Sequence, residues 1–200
     1  MLPSLRVLFF APRCYKVAGS CLLGLLALAP LSAQAEPLSV TFVGDVMLDG
    51  GPGHVITSGG DPFEPTANLL AADLSIGNLE CAIVEDGERQ DKPFTFRASQ
   101  SALPVLAKYF SAVSLANNHS GDWGKVGFVS ELSLLRQAHV PWFGGGRNAK
   151  EARTPLRLTA RGRRVALLGY NDFPPHSFAA GPNYAGTAWL VEKDVVRDLQ

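Results

Sequence analysis

The residues with the clearest chemical potential lie in the stretch "SLANNHSGDWG", residues 114–124. A run of small and apolar residues, typical of a strand, leads there into Asn117, Asn118 and His119, and Asp122 follows three positions later. Amide, imidazole and carboxylate groups can ligate a metal, cap a helix or move a proton. Because Asp122 directly precedes a predicted helix, a capping role is favoured for it. A catalytic role beside His119 is the alternative.

Two further carboxylates follow predicted strands. Asp45 ends the stretch "LSVTFVGD", and Glu80 ends "DLSIGNLE". Asn78 and Glu80 are two positions apart, so an extended backbone points both to the same side. A turn-forming Asp45 and a solvated Glu80 are the structural alternatives. Carboxylate, amide oxygen and imidazole together suit a first-row transition metal better than calcium.

The elements that position these residues alternate between strand and helix. Alternating β-branched residues predict strands at 38–45 and 73–80, and a third strand is predicted at 111–117. A long amphipathic helix is predicted over 124–140, with its apolar face formed by Val126, Val129, Leu132 and Leu135. This alternation predicts an α/β sheet with helices on its faces.

Structure is also predicted for four other segments. The glycine- and proline-rich residues 47–62 predict a long functional loop. Residues 155–170 predict a hairpin that turns at Gly162, and a final helix is predicted from about Trp189. A further helix is predicted over 99–110, where a serine-rich cap precedes apolar residues at helical spacing.

In a sheet of this kind, ligands bind beyond the carboxyl ends of the strands. Polar side chains follow four predicted strands at that position, and we expect them to form one site. The residues are Asp45, Asn78, Glu80, Asn117, Asn118, His119, Asn171 and Asp172.

The remaining histidines are weaker candidates. His139 ends the long predicted helix and is interpreted as a C-terminal cap. His54 lies in the predicted loop after Asp45, and His176 follows two prolines in another predicted loop. Ser120 is not expected to act as a nucleophile, because no G-x-S-x-G turn surrounds it.

The segment from Arg147 to Arg164 contains seven basic residues and one acidic residue. Arg157 and Arg161 share one face of the predicted hairpin, opposite Leu156 and Leu158. A charged edge that prevents unwanted sheet pairing is the first interpretation. A surface that binds an acidic polymer is the second.

The N-terminal segment predicts export. Residues 1–35 combine basic residues, a short apolar run and the small-residue stretch "SAQA", as in a secretory signal peptide. An uncleaved membrane anchor is the alternative, and a lipoprotein anchor at Cys21 is disfavoured because most of the apolar run follows it. The expected location is the periplasm or cell envelope.

The predicted mature chain, residues 36–200, is nearly neutral. The signal segment carries three of the 18 basic residues and none of the 18 acidic ones, which leaves 15 against 18. This balance indicates neither a nucleic-acid nor a membrane-surface partner. Only Cys81 remains of three cysteines, so an internal disulfide is excluded.

Six stretches of the chain, spread from about Ser39 to Tyr170, resemble the bacterial capsule synthesis proteins of the CapA type, which are associated with poly-γ-glutamate. "GNLE" and "ANNHSGDWG" at their present separation are the most specific of these features. The complete set is "FVGDVML", "ADLSIGNLE", "KPFTFRA", "VSLANNHSGDWG", "FGGGRNAKEA" and "RVALLGY".

The resemblance implies a fold and a site. The CapA family is similar to calcineurin-like metallophosphatases, which have a layered α/β/β/α sandwich with a metal site at the strand ends. By that resemblance Asp45 and Glu80 are metal-binding carboxylates. By the same resemblance, Asn118 would ligate the metal and His119 would assist catalysis, with its imidazole as a further candidate ligand. The implied cofactor is a divalent ion such as manganese, iron or zinc.

Two departures from the metallophosphatase pattern indicate an incomplete site. Met47 stands where the motif Asp-x-His has its histidine, as it does in the capsule family. No His-Trp-Gly stretch occurs before Gln200, so residues 36–200 resemble the N-terminal part of such a domain or a shortened member.

Two functions therefore remain as hypotheses. The first is an exported, metal-dependent hydrolase-like protein of capsule, poly-γ-glutamate or envelope polymer metabolism, with His119 and Asp122 as candidate catalytic residues. The second is a non-catalytic component of a capsule assembly or export complex. Its partners would be an acidic polymer such as poly-γ-glutamate, or an envelope glycan, and capsule-synthesis membrane proteins.

Overall fold

The computed structural model describes residues 37–200, so the predicted signal peptide at 1–35 lies outside the described residues. Ten strands occur in this part of the chain: β1 (Val40–Val46), β2 (Leu74–Leu79), β3 (Ala82–Ile83), β4 (Arg97–Ala98), β5 (Ala112–Ser114), β6 (Trp142–Phe143), β7 (Gly145–Gly146), β8 (Leu156–Ala160), β9 (Arg163–Leu167) and β10 (Gly186–Thr187).

Six α-helices lie between these strands or after them: α1 (Gly50–Thr57), α2 (Ala67–Leu70), α3 (Leu103–Tyr109), α4 (Gly124–Gln137), α5 (Ala149–Ala152) and α6 (Glu192–Asp198). Short 3₁₀ turns occur at Glu64–Thr66, Gln100–Ala102 and His176–Phe178. Within residues 37–200, no helix has the length and apolar character that crossing a membrane requires.

The central sheet is parallel and confirms the predicted α/β class. Its four strands lie in the order β1-β2-β5-β6, and each neighbouring pair is parallel. Because the strands are parallel, their carboxyl ends meet at one edge of the sheet. Asp45 is paired with Asn78 in the register of β1 and β2, so the first two predicted site segments are neighbours.

Different elements cover the two faces of this sheet. Leu79 and Val113 face the main core, which includes Leu106 of α3 and Leu132 of α4. On the other face, residues such as Ile76 pack in a second cluster with the β8–β9 hairpin. Helices, parallel sheet and antiparallel hairpin therefore form successive layers, consistent with a metallophosphatase-like fold.

The hairpin turns where the sequence predicts. Arg161 and Gly162 both have positive φ angles, 47° and 71°, and β8 and β9 pair in register on either side of them. Such two-residue turns match the twist of a hairpin, and glycine adopts them without strain. The Nε atom of Arg161 donates to Asp73, 2.5 Å away, and this bond ties the turn to the start of β2.

The prediction of a long loop at 47–62 is wrong, because α1 occupies Gly50–Thr57. The Asp49 carboxylate accepts a hydrogen bond from the Gly50 backbone N–H, and Pro52 lies in the first turn, where its missing N–H costs nothing. His54 lies on this helix and lines a separate small cavity with Asp49. It is not on a mobile loop near the site.

The long amphipathic helix is confirmed as α4, but its buried face differs from the predicted one at one end. Leu132 and Leu135 are fully buried, Val129 is partly buried, and Val126 is 72% exposed. At 100° per residue, Val126 lies about a third of a turn away from Leu132. Phe128, four positions before Leu132, takes its place in the core.

Helix α4 also buries a glutamate in the core. Glu131 is 1% exposed, and its Oε1 atom accepts a hydrogen bond of 2.8 Å from the Ile83 backbone N–H. Its Oε2 atom has no hydrogen-bond partner among the described residues. Burial raises the pKa of Glu131 to about 8, although the Ile83 bond opposes the shift.

We expect this glutamate to make the stability of the fold depend on pH. The folded state holds the proton to about pH 8, whereas the unfolded chain releases it near 4.5. The contribution of this proton to the free energy of unfolding is therefore complete below about pH 4.5. It is lost as pH rises toward 8, by up to about 1.4 kcal/mol per pH unit.

Chemical denaturation of Glu131→Gln and wild type at several pH values measures this effect. The difference in unfolding free energy should move in favour of the variant as pH rises from 5 to 8. Glu64→Gln, at an exposed helical turn, is the control and should follow wild type. A difference between Glu131→Gln and wild type that is constant over this range would contradict the assignment.

Candidate functional site

The carboxylates of Asp45 and Glu80 lie on either side of the Asn78 amide. Nδ2 of Asn78 donates to Oδ1 of Asp45 at 2.9 Å and to Oε2 of Glu80 at 2.5 Å. The expectation that Asn78 and Glu80 point to the same side is confirmed. Two anionic groups from adjacent strands are thus collected at the carboxyl edge of the sheet.

The two asparagines after β5 have different environments. Asn117 is buried, and its Nδ2 atom donates to Oδ1 of Asn78 at 2.9 Å and to the Leu79 carbonyl at 2.8 Å. Its own Oδ1 atom accepts from the backbone N–H groups of His119 and Ser120. Asn117 therefore organises the loop, whereas Asn118 lines the adjacent cavity together with His119.

Ser120 has a structural environment. Its hydroxyl donates to the Leu115 carbonyl at 2.6 Å, and the residue is buried. This contact agrees with the expectation that Ser120 is not a nucleophile.

His119 is held on both sides of its ring. Its Nδ1 atom lies 2.9 Å from Oδ2 of Asp122, and its Nε2 atom lies 3.9 Å from Oε1 of Glu80. Because a carboxylate can only accept, Nδ1 donates to Asp122 and Nε2 remains for proton transfer or ligation. The Phe96 ring packs against the imidazole with 4.5 Å between the ring centroids.

The predicted capping role of Asp122 is wrong. The residue that caps α4 is Trp123, without a side-chain hydrogen bond. The carboxylate of Asp122 is fully buried and turns toward the site instead, where it accepts from the Phe96 backbone N–H at 2.6 Å and from His119. These tertiary donors satisfy the carboxylate in place of the helix N-terminus.

Lys92 is a site residue that sequence reasoning missed. Its Nζ atom forms an ion pair with Oδ1 of the buried Asp122 and donates to the Asn118 carbonyl at 2.8 Å. The partners are 26 and 30 positions away, so spacing along the chain gives no signal. The only hint is the position of Lys92 in "KPFTFRA", one of the stretches that carry the family resemblance.

The carboxylate pair is electrostatically unfavourable without a cation. Burial raises the pKa of Glu80, and the nearby charge of Asp45 raises it further, while the Asn78 hydrogen bond lowers it. Asp45 itself is exposed to solvent. A positive ion near both carboxylates would remove this repulsion.

The donor set suits one divalent ion better than two. Asp45, Glu80, Asn118 and His119 offer the oxygen and nitrogen ligands that manganese, iron and zinc accept. However, residues 37–200 contain no group of three or more His, Cys, Asp or Glu side chains arranged to hold a metal. Met47 packs against the main core, so it supplies no ligand.

The fourth predicted strand end does not join the site. Within residues 37–200, β9 pairs only with β8 and is not part of the parallel sheet, so its end does not lie at the carboxyl edge of that sheet. Asn171 is buried, and its amide bonds with both backbone groups of Phe173. Asp172 is exposed. Asn171 nevertheless fixes a loop that lines the cavity beside His119.

The two remaining histidines have other contacts. His139 is exposed with a φ angle of 56°, and its backbone N–H donates to the Arg136 carbonyl just after α4. The ring of His176 packs on Trp189, with 4.6 Å between the centroids.

Part of the basic segment is paired internally. Arg153 forms ion pairs with Asp194 and Asp198 of α6, and Arg161 pairs with Asp73. Arg147 lies 3.6 Å from Glu151. At least three of the seven basic residues are therefore engaged in ion pairs within the chain, which weakens the case for one continuous polymer-binding surface.

The chain resembles known proteins over most of the described region. Residues 39–197 match the family described as bacterial capsule synthesis protein PGA_cap. The capsule biosynthesis protein CapA of Bacillus anthracis is 26% identical over 164 residues, which cover 78% of this chain and 39% of that protein. The PGA biosynthesis protein CapA of Bacillus subtilis is 27% identical over 158 residues, covering 76% and 42%.

A third relative is a probable polyglutamine synthesis accessory protein of Mycobacterium tuberculosis. It is 31% identical over 135 residues, which cover 64% of this chain and 35% of that protein. The matched region is thus about two fifths of the length of these relatives or less. The family match covers well over half of the present chain, and the chain therefore belongs to the PGA_cap family of bacterial capsule synthesis proteins.

Proposed function

We propose that this chain is an exported, metal-dependent hydrolase-like component of capsule or envelope polymer metabolism. The observation that carries the proposal is the hydrogen-bonded series from Asp45 through Asn78 and Glu80, with His119 and Asp122 beside it. A carboxylate pair that can hold a metal ion, next to an oriented imidazole, is an arrangement that can catalyse hydrolytic bond cleavage.

Asp45, Glu80 and Asn118 would hold the metal, and the imidazole of His119 would stay free of it. A divalent ion supplies Lewis-acid polarisation of a phosphoryl or carbonyl oxygen and lowers the pKa of bound water. The protein's own contribution centres on His119, whose ring orientation and tautomer are fixed by Asp122 and Phe96. In the doubly protonated imidazolium form, the Nε2 atom can donate its proton to the leaving group as a general acid, which leaves the neutral ring bonded to Asp122. Asp122, which is fully buried, acts through His119 as a positioning residue.

Export is part of the same proposal. It is supported by the signal-peptide pattern of residues 1–35 and by the names of the relatives, which concern capsule biosynthesis. The substrate would then be a polymer or precursor of the cell envelope.

A phosphodiester assay tests the hydrolase proposal. Purified full chain with added Mn²⁺ is expected to cleave bis(p-nitrophenyl) phosphate slowly, because few ligands hold the metal. His119→Ala should lower the rate by about 100-fold, a typical contribution of general acid–base catalysis. His139→Ala, which removes an exposed histidine after α4, should leave the rate unchanged.

The second candidate is a non-catalytic polymer-binding component. It is favoured by the finding that no three metal-binding side chains cluster within residues 37–200. Absence of metal-dependent cleavage, or an equal rate in His119→Ala, would support this candidate and contradict the hydrolase.

A further inference from the structure

A cavity of about 560 Å³ opens beside His119 and has mainly apolar walls. It lies between the loops at residues 91–94 and 173–175, with Asn118 and His119 also lining it. Its volume falls in the range of small-ligand sites, ~300–1,000 Å³. Sequence reasoning assigns it no role.

Two phenylalanine rings in this cavity are unusually exposed. Phe94 is 70% exposed and Phe173 is 62% exposed, and prolines adjoin both. Exposed apolar groups gathered in one cleft, unlike scattered ones, mark a binding surface. The flat face of an aromatic ring makes its largest apolar contact with a ligand that also has a flat apolar face.

One partly buried and one buried polar residue hold these loops in place. Lys92 anchors the first loop through its ion pair with Asp122 and its bond to the Asn118 carbonyl. Asn171, which is 5% exposed, accepts from the Phe173 N–H at 2.9 Å and donates to the Phe173 carbonyl at 3.2 Å. The rings are thus presented to solvent by an ordered scaffold.

The charges in the cleft disfavour a polyanion. Among residues 37–200, Lys92 is the only lysine or arginine that lines this cavity, and the buried Asp122 already neutralises it. The Asp91 carboxylate has no hydrogen-bond or ion-pair partner within residues 37–200. It is therefore free to accept hydrogen bonds from hydroxyl groups, and it would repel the repeated carboxylates of an acidic polypeptide.

We infer that the cleft binds a neutral carbohydrate chain, with sugar rings stacked on Phe94 and Phe173 and their hydroxyls bonded to Asp91. A pyranose has the required combination of an apolar C–H face and peripheral hydroxyls. The inference rests on the proposed function in one respect, namely that His119 marks the reactive end of the cleft. It names a glycan, in preference to poly-γ-glutamate, as the polymer that reaches this site.

Isothermal titration of the full chain without added metal tests the inference. The probes are the neutral oligosaccharides cellohexaose and chitohexaose, and a γ-linked glutamate hexamer. At least one oligosaccharide should bind, with little dependence on salt because no charge is paired. Phe94→Ala and Phe173→Ala should each weaken binding about five- to tenfold. Phe94→Trp should keep the wild-type affinity, because the indole retains a flat face.

Phe42→Ala is the matched control, because Phe42 is 69% exposed but lies on β1 outside the cleft. The Phe42→Ala variant should bind the oligosaccharide with the same affinity as wild type. Failure of both oligosaccharides to bind, or binding unaffected by Phe94→Ala and Phe173→Ala, would overturn the inference. Binding of the glutamate hexamer that the same substitutions abolish would assign the cleft to the acidic polymer instead.

The titration separates this inference from the proposed function. Asp45→Asn, which removes a candidate metal ligand that does not line the cleft, should lose phosphodiester cleavage but still bind the oligosaccharide. Oligosaccharide binding without cleavage by wild type would leave the glycan inference standing while it contradicts the hydrolase.

Discussion

Replacing Asp122 with alanine is expected to lower the free energy of unfolding by about 3 kcal/mol. The substitution leaves the Phe96 N–H without its acceptor and the Lys92 ammonium without its partner. Unpaired buried donors and charges typically cost ~1–3 kcal/mol and ~3–5 kcal/mol. The sum is reduced here because the Lys92 side chain is 22% exposed and can turn toward water.

A double-mutant cycle distinguishes this ion pair from general loss of packing. Asp122→Asn and Lys92→Met should each destabilise the protein in urea unfolding, and the double variant should lose less than the sum of the two. Lys150→Met, at an exposed lysine of α5, is the control for removal of a positive charge. Strictly additive losses would show that Lys92 and Asp122 are not coupled.

Replacing Glu80 with glutamine is expected to have opposite effects on metal affinity and on stability. The affinity for Mn²⁺ should fall more than tenfold, since a charge about 4 Å from a cation contributes ~4 kcal/mol near a protein surface. Without metal, the variant should unfold at a higher temperature at pH 7. The raised pKa of Glu80 means that its charged form opposes folding above its ordinary pKa, and glutamine removes that charge.

Calorimetric Mn²⁺ titration and thermal unfolding, with and without a chelator, measure the two effects. Asp172→Asn is the matched control, because Asp172 is an exposed aspartate that does not join the site. It should change neither quantity. A Glu80→Gln variant that binds Mn²⁺ as wild type does, or that is less stable without metal, would contradict the role given to this carboxylate pair.

Sequence patterns predict the scaffold well where local chemistry decides the structure. The turn at Gly162 requires positive φ angles that glycine tolerates, and it occurs as predicted. The parallel sheet brings Asp45 and Asn78 into register, because the carboxyl ends of parallel strands meet at one edge. Sequence patterns predict a loop at Gly50–Thr57, where the structure has a helix. One aspartate cap and a first-turn proline outweigh the low helix propensity of glycine there.

The site is predicted less completely, because several of its contacts join distant parts of the chain. Asp122 lies where a capping residue is expected, but donors from Phe96 and Lys92 compete for its carboxylate. Asn171 lies after a strand as predicted, but β9 is not part of the parallel sheet. No pattern of spacing along the chain reveals which strands will be neighbours.

The proposed metal site can be tested most directly by counting bound metal. Full chain is dialysed to equilibrium against Mn²⁺, and the bound ions per chain are measured by elemental analysis. Wild type should hold no more than one ion, and a chelator should remove it readily. Asp45→Asn should hold markedly less at the same free Mn²⁺ concentration. Two tightly bound ions per wild-type chain, or equal occupancy in Asp45→Asn, would contradict a single weak site at Asp45 and Glu80.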